Sequence, residues 1–363
     1  MISVRNILSV RRPVVCLLVA LVTAALLAEP VCAVEAYKWS LQYLIDNSRT
    51  VFGRSQKVSP RHNRGLAISP DGKFLYAGYS HSYNNAGEVR MISADTVDFD
   101  RASYVVIQGP MGKAIATDDK GRVYISDETS ILVYDGGLHA RQLDIPTNAC
   151  EGVAVTREGR DLVLYTSDRE QGTLNRKVLH EKDGVVVSAT SSGFDGTGTL
   201  KIHGATDLRG LKVDSKGNCW IADLKGSKVW KVSHDGKTVN SASVNTPMDV
   251  AFDNGRVLVT RYMDRVISIL DENMQVLGTL SVPWEELELA PLGNSRSGAL
   301  SGIVTVPGKC FYVANEAGLT ANQRSTYGRV DDQSGVVGGK LYKDIFEDDN
   351  EPILKATVIK GGQ

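Results

Sequence analysis

Six side chains that could bind an ion or an anionic ligand stand beside short apolar runs that recur along the chain. They are Arg64, Lys113, Glu151, Arg209, Asp249 and Asn315. Arginine and lysine bind anionic groups through charge-assisted hydrogen bonds. The oxygens of Glu151, Asp249 and Asn315 are the ligands that Ca²⁺ or another hard divalent cation prefers. The residue types leave three interpretations open: an anion site, a metal site, or ion pairs that only neutralise each other.

A second group combines histidines with aromatic side chains between the apolar runs. Its members are His62, His81, His203, Tyr83 and Trp284. Aromatic side chains beside polar ones can stack on sugars or anchor a protein partner. They can equally pack a loop onto the strands beneath it. The candidate ligands therefore include small molecules, sugars and proteins.

The apolar runs belong to one repeated unit. Clear copies read Gly-Leu-Ala-Ile-Ser-Pro-Asp-Gly from Gly65 and Gly-Leu-Lys-Val-Asp-Ser-Lys-Gly from Gly210. The copies begin at Gly65, Ala114, Gly152, Gly210, Asp249 and Gly302. Each contains an apolar run, a turn that ends in glycine, and a second run with an aromatic residue or leucine at one fixed place. Because glycine tolerates the positive φ of tight turns, each copy is predicted to form a β-hairpin.

Further strand-like runs follow the hairpins, for example at residues 131–134 and 228–232. Four strands per repeat are typical of a β-propeller blade, and no stretch keeps a helical period. The sequence therefore predicts an all-β fold, a single six-bladed β-propeller with four-stranded antiparallel blades. Residues 37–44 are predicted to join the last blade beside residues 353–359, which closes the ring and removes exposed sheet edges.

The turns of a propeller alternate between two faces, and their lengths differ in this chain. The turn between the first and second strands of a unit is short, as at residues 70–72 and 215–217. Connections on the other face are long and cover residues 79–86, 191–208, 283–299 and 316–338. Long loops in a compact repeat usually carry function. We therefore expect the binding site on this long-loop face, with the charged residues around the mouth of the central channel.

Residues 1–33 have the features of a signal peptide. Basic residues precede an apolar run at 14–28, and Val31-Cys32-Ala33 offers small residues for cleavage. The apolar run is shorter than the roughly 20 residues of a membrane span. We expect an exported protein, periplasmic or extracellular, whose mature domain covers residues 34–363 without a transmembrane anchor.

The repeat, Gly-apolar-Ala-apolar-Asp-x-x-Gly-x-aromatic-apolar-Ala-Asp, resembles the blades of NHL-repeat proteins and of the senescence-marker-protein/gluconolactonase family. A gluconolactonase-like chain implies a divalent metal at the channel top that polarises a lactone carbonyl. This chain departs from that pattern, because Arg64-Gly65 stands where the family has Glu-Gly-Pro and Glu151-Gly152 lies in the third unit. A second enzyme class, the propeller lyases that use paired histidines above the channel, would need His62, His81 or His203 to converge.

Several function classes are disfavoured. The 41 Lys and Arg residues nearly balance the 42 Asp and Glu residues, so no basic surface for nucleic acid is predicted. No Gly-x-Ser-x-Gly nucleophile motif, phosphate-binding glycine loop or Cys-x-x-Cys-His haem site occurs. The sequence therefore favours a binding scaffold. The alternative is a metal-dependent lactonase-like hydrolase with its metal at the channel mouth.

Overall fold

The structure is a computed structural model in which residues 37–43, 63–80, 87–94, 105–127, 129–264, 266–282, 299–315, 336–337, 340–341 and 353–358 are described. These ranges consist of strands, turns and their connections, and they contain no helix. A helix able to cross a membrane is accordingly not found among them. The predicted signal peptide, residues 1–33, lies outside the described residues.

The described strands form six four-stranded antiparallel sheets, which are the blades of a propeller. The first described strand is β1 (Tyr37–Tyr43). Blade 1 contains β2 (Asn63–Ile68), β3 (Phe74–Ser80), β4 (Gly87–Ser93) and β5 (Val105–Gly109). Blade 2 contains β6 (Ile115–Thr117), β7 (Val123–Asp127), β8 (Ser130–Tyr134) and β9 (Arg141–Pro146). Blade 3 contains β10 (Cys150–Glu158), β11 (Asp161–Asp168), β12 (Thr173–Lys182) and β13 (Val185–Ser191), with the short β14 (Thr199–Lys201) also paired to β12.

The remaining strands complete the ring. Blade 4 contains β15 (Leu208–Val213), β16 (Cys219–Asp223), β17 (Lys228–Val232) and β18 (Val239–Ser243). Blade 5 contains β19 (Pro247–Asp253), β20 (Arg256–Arg261), β21 (Val266–Asp271) and β22 (Val276–Ser281). Blade 6 contains β23 (Leu300–Val306), β24 (Cys310–Asn315) and β27 (Ile353–Val358), and the strands β25 (Val336–Val337) and β26 (Lys340–Leu341) form a separate pair.

The N-terminal strand closes the ring, as the sequence predicts. Blade 6 has the order β1-β27-β24-β23, so β1 is its outermost strand. The β1–β27 pairing is antiparallel, with Tyr37 opposite Val358 and Leu41 opposite Leu354. Around the axis, the first strands of neighbouring blades contact each other in turn, including β23 of blade 6 with β2 of blade 1. The prediction of six closed blades is confirmed.

The core lies between the blades, and the fixed aromatic position of the repeat supplies much of it. The buried residues at this position are Tyr76, Tyr124, Tyr165, Trp220, Leu258 and Tyr312. In most blades this side chain packs against the following blade, as Tyr165 does against Ile221 and Trp220 against Val257. Complete burial of one large apolar side chain contributes roughly 1.5–3 kcal/mol. The repeat therefore encodes contacts between blades as well as strands within them.

Candidate functional site at the channel mouth

A β-bulge recurs where the first strand of a blade reaches the long-loop face. In blades 1, 3, 4, 5 and 6 the pairing between the first and second strands shifts by one residue at this point. The shifts fall between Asn63 and Leu66, Cys150 and Gly152, Leu208 and Leu211, Pro247 and Val250, and Leu300 and Ile303. A bulge inserts one residue and re-aims a side chain. Four predicted site residues, Arg64, Glu151, Arg209 and Asp249, lie in these bulges.

Glycines in the bulges let neighbouring blades approach closely. A Cβ atom at Gly152 would collide with the carbonyl oxygen of Arg209, and one at Gly302 would collide with that of Arg64. Any side chain at these positions would push the bulges apart. The glycine of the repeat therefore brings the bulges of neighbouring blades close together. We call the group of charged residues at this place the channel mouth: Arg64, Glu151 and Arg209 in the bulges, with Lys113 and Arg169 beside them.

Glu151 lies at the centre of the channel mouth, and its side chain is 3% exposed. Four cationic groups surround its carboxylate: Arg209 Nη1 at 3.0 Å, Arg169 Nη1 at 3.1 Å, Arg64 Nη1 at 3.3 Å and Lys113 Nζ at 3.4 Å. Burial disfavours the charged form of Glu151, but these positive charges outweigh that effect and lower the pKa of the carboxyl below its ordinary value. Glu151 is therefore an internal anion held by four cations.

Arg209 keeps unused hydrogen-bonding capacity. Its Nε and Nη1 atoms lie 2.9 Å from Asp207 Oδ1 and 3.0 Å from Glu151 Oε2. These two buried nitrogens nevertheless make no hydrogen bond of good geometry within the described structure. Its Nη2 donates to Asp207 Oδ2 at 3.1 Å. Because Nε and Nη1 are buried, Arg209 contributes to the channel mouth through its charge beside Glu151.

A cavity of about 460 Å³ opens beside the channel mouth between blades 2 and 3. Its lining includes Lys113, Glu151 and Arg169, together with Thr129, Asn148, Ala149, Cys150, Asp168, Glu170 and Gln171. Asp168 shapes the wall, because its Oδ1 accepts hydrogen bonds from the amides of Glu170 at 2.9 Å and Gln171 at 2.8 Å. Pockets of about 300–1,000 Å³ are typical of small-molecule sites. The cavity lies on the long-loop face.

The side chain of Asp249 has a different environment from that of Glu151. It occupies the repeat position where four other blades have glycine, and its side chain packs against Gly210 of blade 4. Its carboxylate accepts hydrogen bonds from the amides of Val250 at 2.9 Å and Ile303 at 3.0 Å. Burial raises the pKa of this carboxyl above its ordinary value. Asp249 therefore joins blades 5 and 6 and has partners separate from those of Glu151.

The predicted metal ligands Glu151, Asp249 and Asn315 do not form a suitable site in the described structure. A divalent cation beside Glu151 would have to displace four positive groups at a high electrostatic cost. Asp249 is already bonded to two backbone amides, and the side chain of Asn315, at the end of β24, is outside the described part. No group of three or more His, Cys, Asp or Glu side chains among the described residues could hold a metal ion.

The loop-face residues fall mostly outside the described ranges. His62, His81, Tyr83 and Trp284 are not described, so their place on the long-loop face stays a prediction. His203 is exposed in the turn after β14. Of the four long loops, the one at residues 191–208 is described throughout, and it includes β14.

The sequence did not point to Arg169 as a site residue, and it did not predict that the Asp249 side chain packs against the neighbouring blade. Arg169 follows Asp168 at the end of β11, on the long-loop face, and its positive charge directly after the second strand of the unit was the available signal. The direction of Asp249 had a signal as well, since it replaces a glycine that lies at a close contact between blades. The three cysteines of the described part, Cys150, Cys219 and Cys310, are free and buried.

Comparison with known proteins shows likeness of fold. No protein-family model matches the chain, and no curated protein sequence matches it. A calcium-binding protein, regucalcin from Agrobacterium tumefaciens, is 11% identical with a TM-score of 0.50, over 84% of this chain and 92% of that one. A luciferin-regenerating enzyme is 12% identical with a TM-score of 0.49, over 90% of this chain and 96% of the other. Virginiamycin B lyase from Staphylococcus aureus is 13% identical with a TM-score of 0.49, over 89% of this chain and 100% of the lyase.

Proposed function

We propose that the protein is an exported binding scaffold that takes a small anionic ligand, with a carboxylate or phosphate group, at the channel mouth. The observation that carries this proposal is the group of four cations around a single buried carboxylate, next to a cavity of about 460 Å³. Arginine and lysine side chains with several donors each can bind a second anion while they hold the first. Export is supported by the signal-like residues 1–33.

The charges near the cavity favour an anion at its inner end. Lys113 and Arg169 both line the cavity and both contact Glu151. Arg169 is the more accessible of the two, with 35% of its side chain exposed against 12% for Lys113. The carboxylates of Asp168 and Glu170 also line the cavity, but Asp168 is bonded to backbone amides and the exposed Glu170 lies 3.4 Å from Arg169. A ligand anion therefore finds its cations at the inner end, beside Glu151.

The repeat motif and the four-stranded blades support a place among the NHL-repeat and gluconolactonase-like propellers. Regucalcin is described as calcium-binding, and a metal-dependent lactonase-like hydrolase is the alternative function. At 11% identity the likeness is one of fold. Because the surroundings of Glu151 suit an anion better than a divalent metal, we prefer the binding scaffold.

Binding measurements on the purified protein test the proposal. Calorimetric titrations with succinate, citrate and inorganic phosphate should show binding, and the neutral analogue succinamide should not bind. The variant Arg169→Gln should weaken the best anion about tenfold or more, since a charged hydrogen bond contributes about 1.5–3 kcal/mol. The matched control is Arg141→Gln, because Arg141 pairs with Asp144 on the outer strand β9.

Two outcomes would overturn the proposal. The first is the absence of binding to every anion tested, or equal effects of the Arg169 and Arg141 variants. The second is binding of Ca²⁺ or Mn²⁺ together with lactone hydrolysis that Glu151→Gln abolishes in a folded protein, which would support the hydrolase. Export is tested separately by cell fractionation with and without residues 1–33.

A further inference from the structure

The opposite end of the central channel contains a second cavity, of about 180 Å³. It lies where the first strands approach the tight turns, and we call it the tight-turn end. All six blades contribute the same repeat position, two residues after the glycine of the motif or its replacement. The residues at this position are Ala67, Ala116, Ala154, Lys212, Ala251 and Val304. Five of the six are small and apolar, and Lys212 is the exception.

Lys212 is held beside this cavity without a close partner. Its side chain is 22% exposed, and its Nζ atom lies 3.9 Å from Asp249 Oδ2. That distance is longer than a hydrogen bond, and the Asp249 oxygens already accept the amides of Val250 and Ile303. No hydrogen bond of Lys212 Nζ occurs within the described residues. An ammonium group has three donors and no acceptor, so Lys212 has donors to offer to a ligand.

Packing gives no reason for a lysine at this position. Alanine at the same place in four other blades lines the channel without difficulty. Lys212 and Asp249 are departures from the repeat in adjacent blades, and the two departures lie next to each other. Asp249 provides partial charge compensation from the wall, and most of the other residues that line the cavity are apolar. An ammonium group binds an anion through charge-assisted hydrogen bonds, and an anionic ligand would supply the close acceptors that Asp249 does not.

The size of the cavity limits the ligand. A protein cavity of about 150 Å³ lined by apolar side chains can hold benzene. Sites for drug-sized molecules begin at about 300 Å³. The cavity at the tight-turn end, at about 180 Å³, therefore suits an apolar body the size of one aromatic ring.

We propose that the tight-turn end is a second binding site, specific for a small apolar monocarboxylate. The carboxylate contacts Lys212 Nζ, and the apolar body lies among Ala67, Ala116, Ala154 and Ala251. This site uses none of the residues of the channel mouth, so it stands whether or not the mouth binds an anion.

The test uses benzoate as the probe and benzamide as its neutral analogue. In the protein labelled with ¹³C at alanine methyl groups, benzoate should shift the methyl signals of the four cavity alanines. The methyl of Ala222, buried in blade 4 away from the cavity lining, serves as the internal control. Benzamide should bind at least tenfold more weakly, because it lacks the charge that Lys212 recognises.

Variants test whether the amine of Lys212 is the group that binds benzoate. Lys212→Met should weaken benzoate binding tenfold or more and leave the Ala222 signal in place. Lys309→Met removes the same charge from an exposed lysine in the β23–β24 turn on the same face, and it should bind benzoate as the unaltered protein does. Arg169→Gln should also leave the alanine shifts unchanged.

The results that would overturn the proposal can be told apart from those that support it. Unshifted cavity alanines, or equal binding by the Lys212 and Lys309 variants, overturn the proposal. Loss of benzoate binding in Arg169→Gln with retention in Lys212→Met also overturns it, because the probe then binds at the channel mouth. If Lys212→Met does not fold, the alanine shifts and the benzoate-to-benzamide ratio of the unaltered protein decide.

Discussion

The two ends of the central channel are built by the same six strands and have opposite character. At the mouth, four cations surround Glu151, and two of them, Arg64 and Arg209, lie in the bulges of first strands. At the tight-turn end, the same strands present alanine, valine and a single lysine. A one-residue bulge separates the two environments within each of five strands. The comparison teaches that a repeat made for packing gains specific chemistry wherever individual blades depart from it.

The charges at the mouth are interdependent, so removal of the Glu151 charge should have the largest effect on the stability of the protein. Glu151→Gln leaves four cations without their central anion, and breaking a buried ion pair costs about 3–5 kcal/mol. Chemical denaturation should show this loss, and inorganic phosphate should restore part of it by binding in place of the carboxylate. Glu170→Gln is the control, since Glu170 is 64% exposed and contacts Arg169 only at the rim. Equal stabilities of the two variants would contradict the interdependence.

The close contact between the bulges of neighbouring blades can be disrupted by one substitution. Gly152→Ala places a methyl group against the carbonyl of Arg209 and should cost about 1–3 kcal/mol. It should also weaken anion binding at the mouth, because it displaces Arg209 from Glu151. Gly159→Ala, in an exposed turn with open space around the new methyl, should bind anions normally despite backbone strain at φ 63°. Normal anion binding by Gly152→Ala would show that the bulges do not position the site.

The stabilising effect of Glu151 should depend on pH with a defined sign. Its pKa in the folded protein is below the ordinary value of 4.5, so its ionised form favours folding. The stability difference between the unaltered protein and Glu151→Gln should be complete above about pH 4.5 and shrink as the pH falls through the lowered pKa. Urea denaturation between pH 7 and pH 3 measures this difference. A difference that grows with falling pH would contradict the assigned direction.

Removal of the charge at the tight-turn end should have the smallest effect on stability. Lys212→Met keeps the length of the side chain, and Asp249 keeps its two backbone hydrogen bonds. Because Lys212 makes only the 3.9 Å contact with Asp249, we expect a change within about 1 kcal/mol. Thermal denaturation beside Glu151→Gln measures the contrast between the ends. A loss as large as that of Glu151→Gln would show that Lys212 is structural and would weaken the case for a ligand there.

Much of the architecture follows from local residue patterns. Glycines such as Gly72 and Gly217 do adopt positive φ in the tight turns, and the aromatic position is buried in each blade where it occurs. These features depend on neighbours in sequence, which is why six blades and their closure could be predicted. The grouping of Arg64, Lys113, Glu151 and Arg209 also followed from their common place before each first strand. The loop-face group, apart from the exposed His203, stays a prediction.

The sequence by itself determined the repeat, the ring and which charged residues approach the channel, because each is a periodic property of the chain. Only the tertiary structure decided where individual side chains point. One extra residue in a strand moves the side chains of the following residues to the opposite face of the sheet. No local sequence pattern indicates the bulge in β19, which places the Asp249 side chain between the blades. Pairing of β10 with β11 within blade 3 brought Arg169 to Glu151, and the packing of blade 4 against blade 5 brought Lys212 to Asp249.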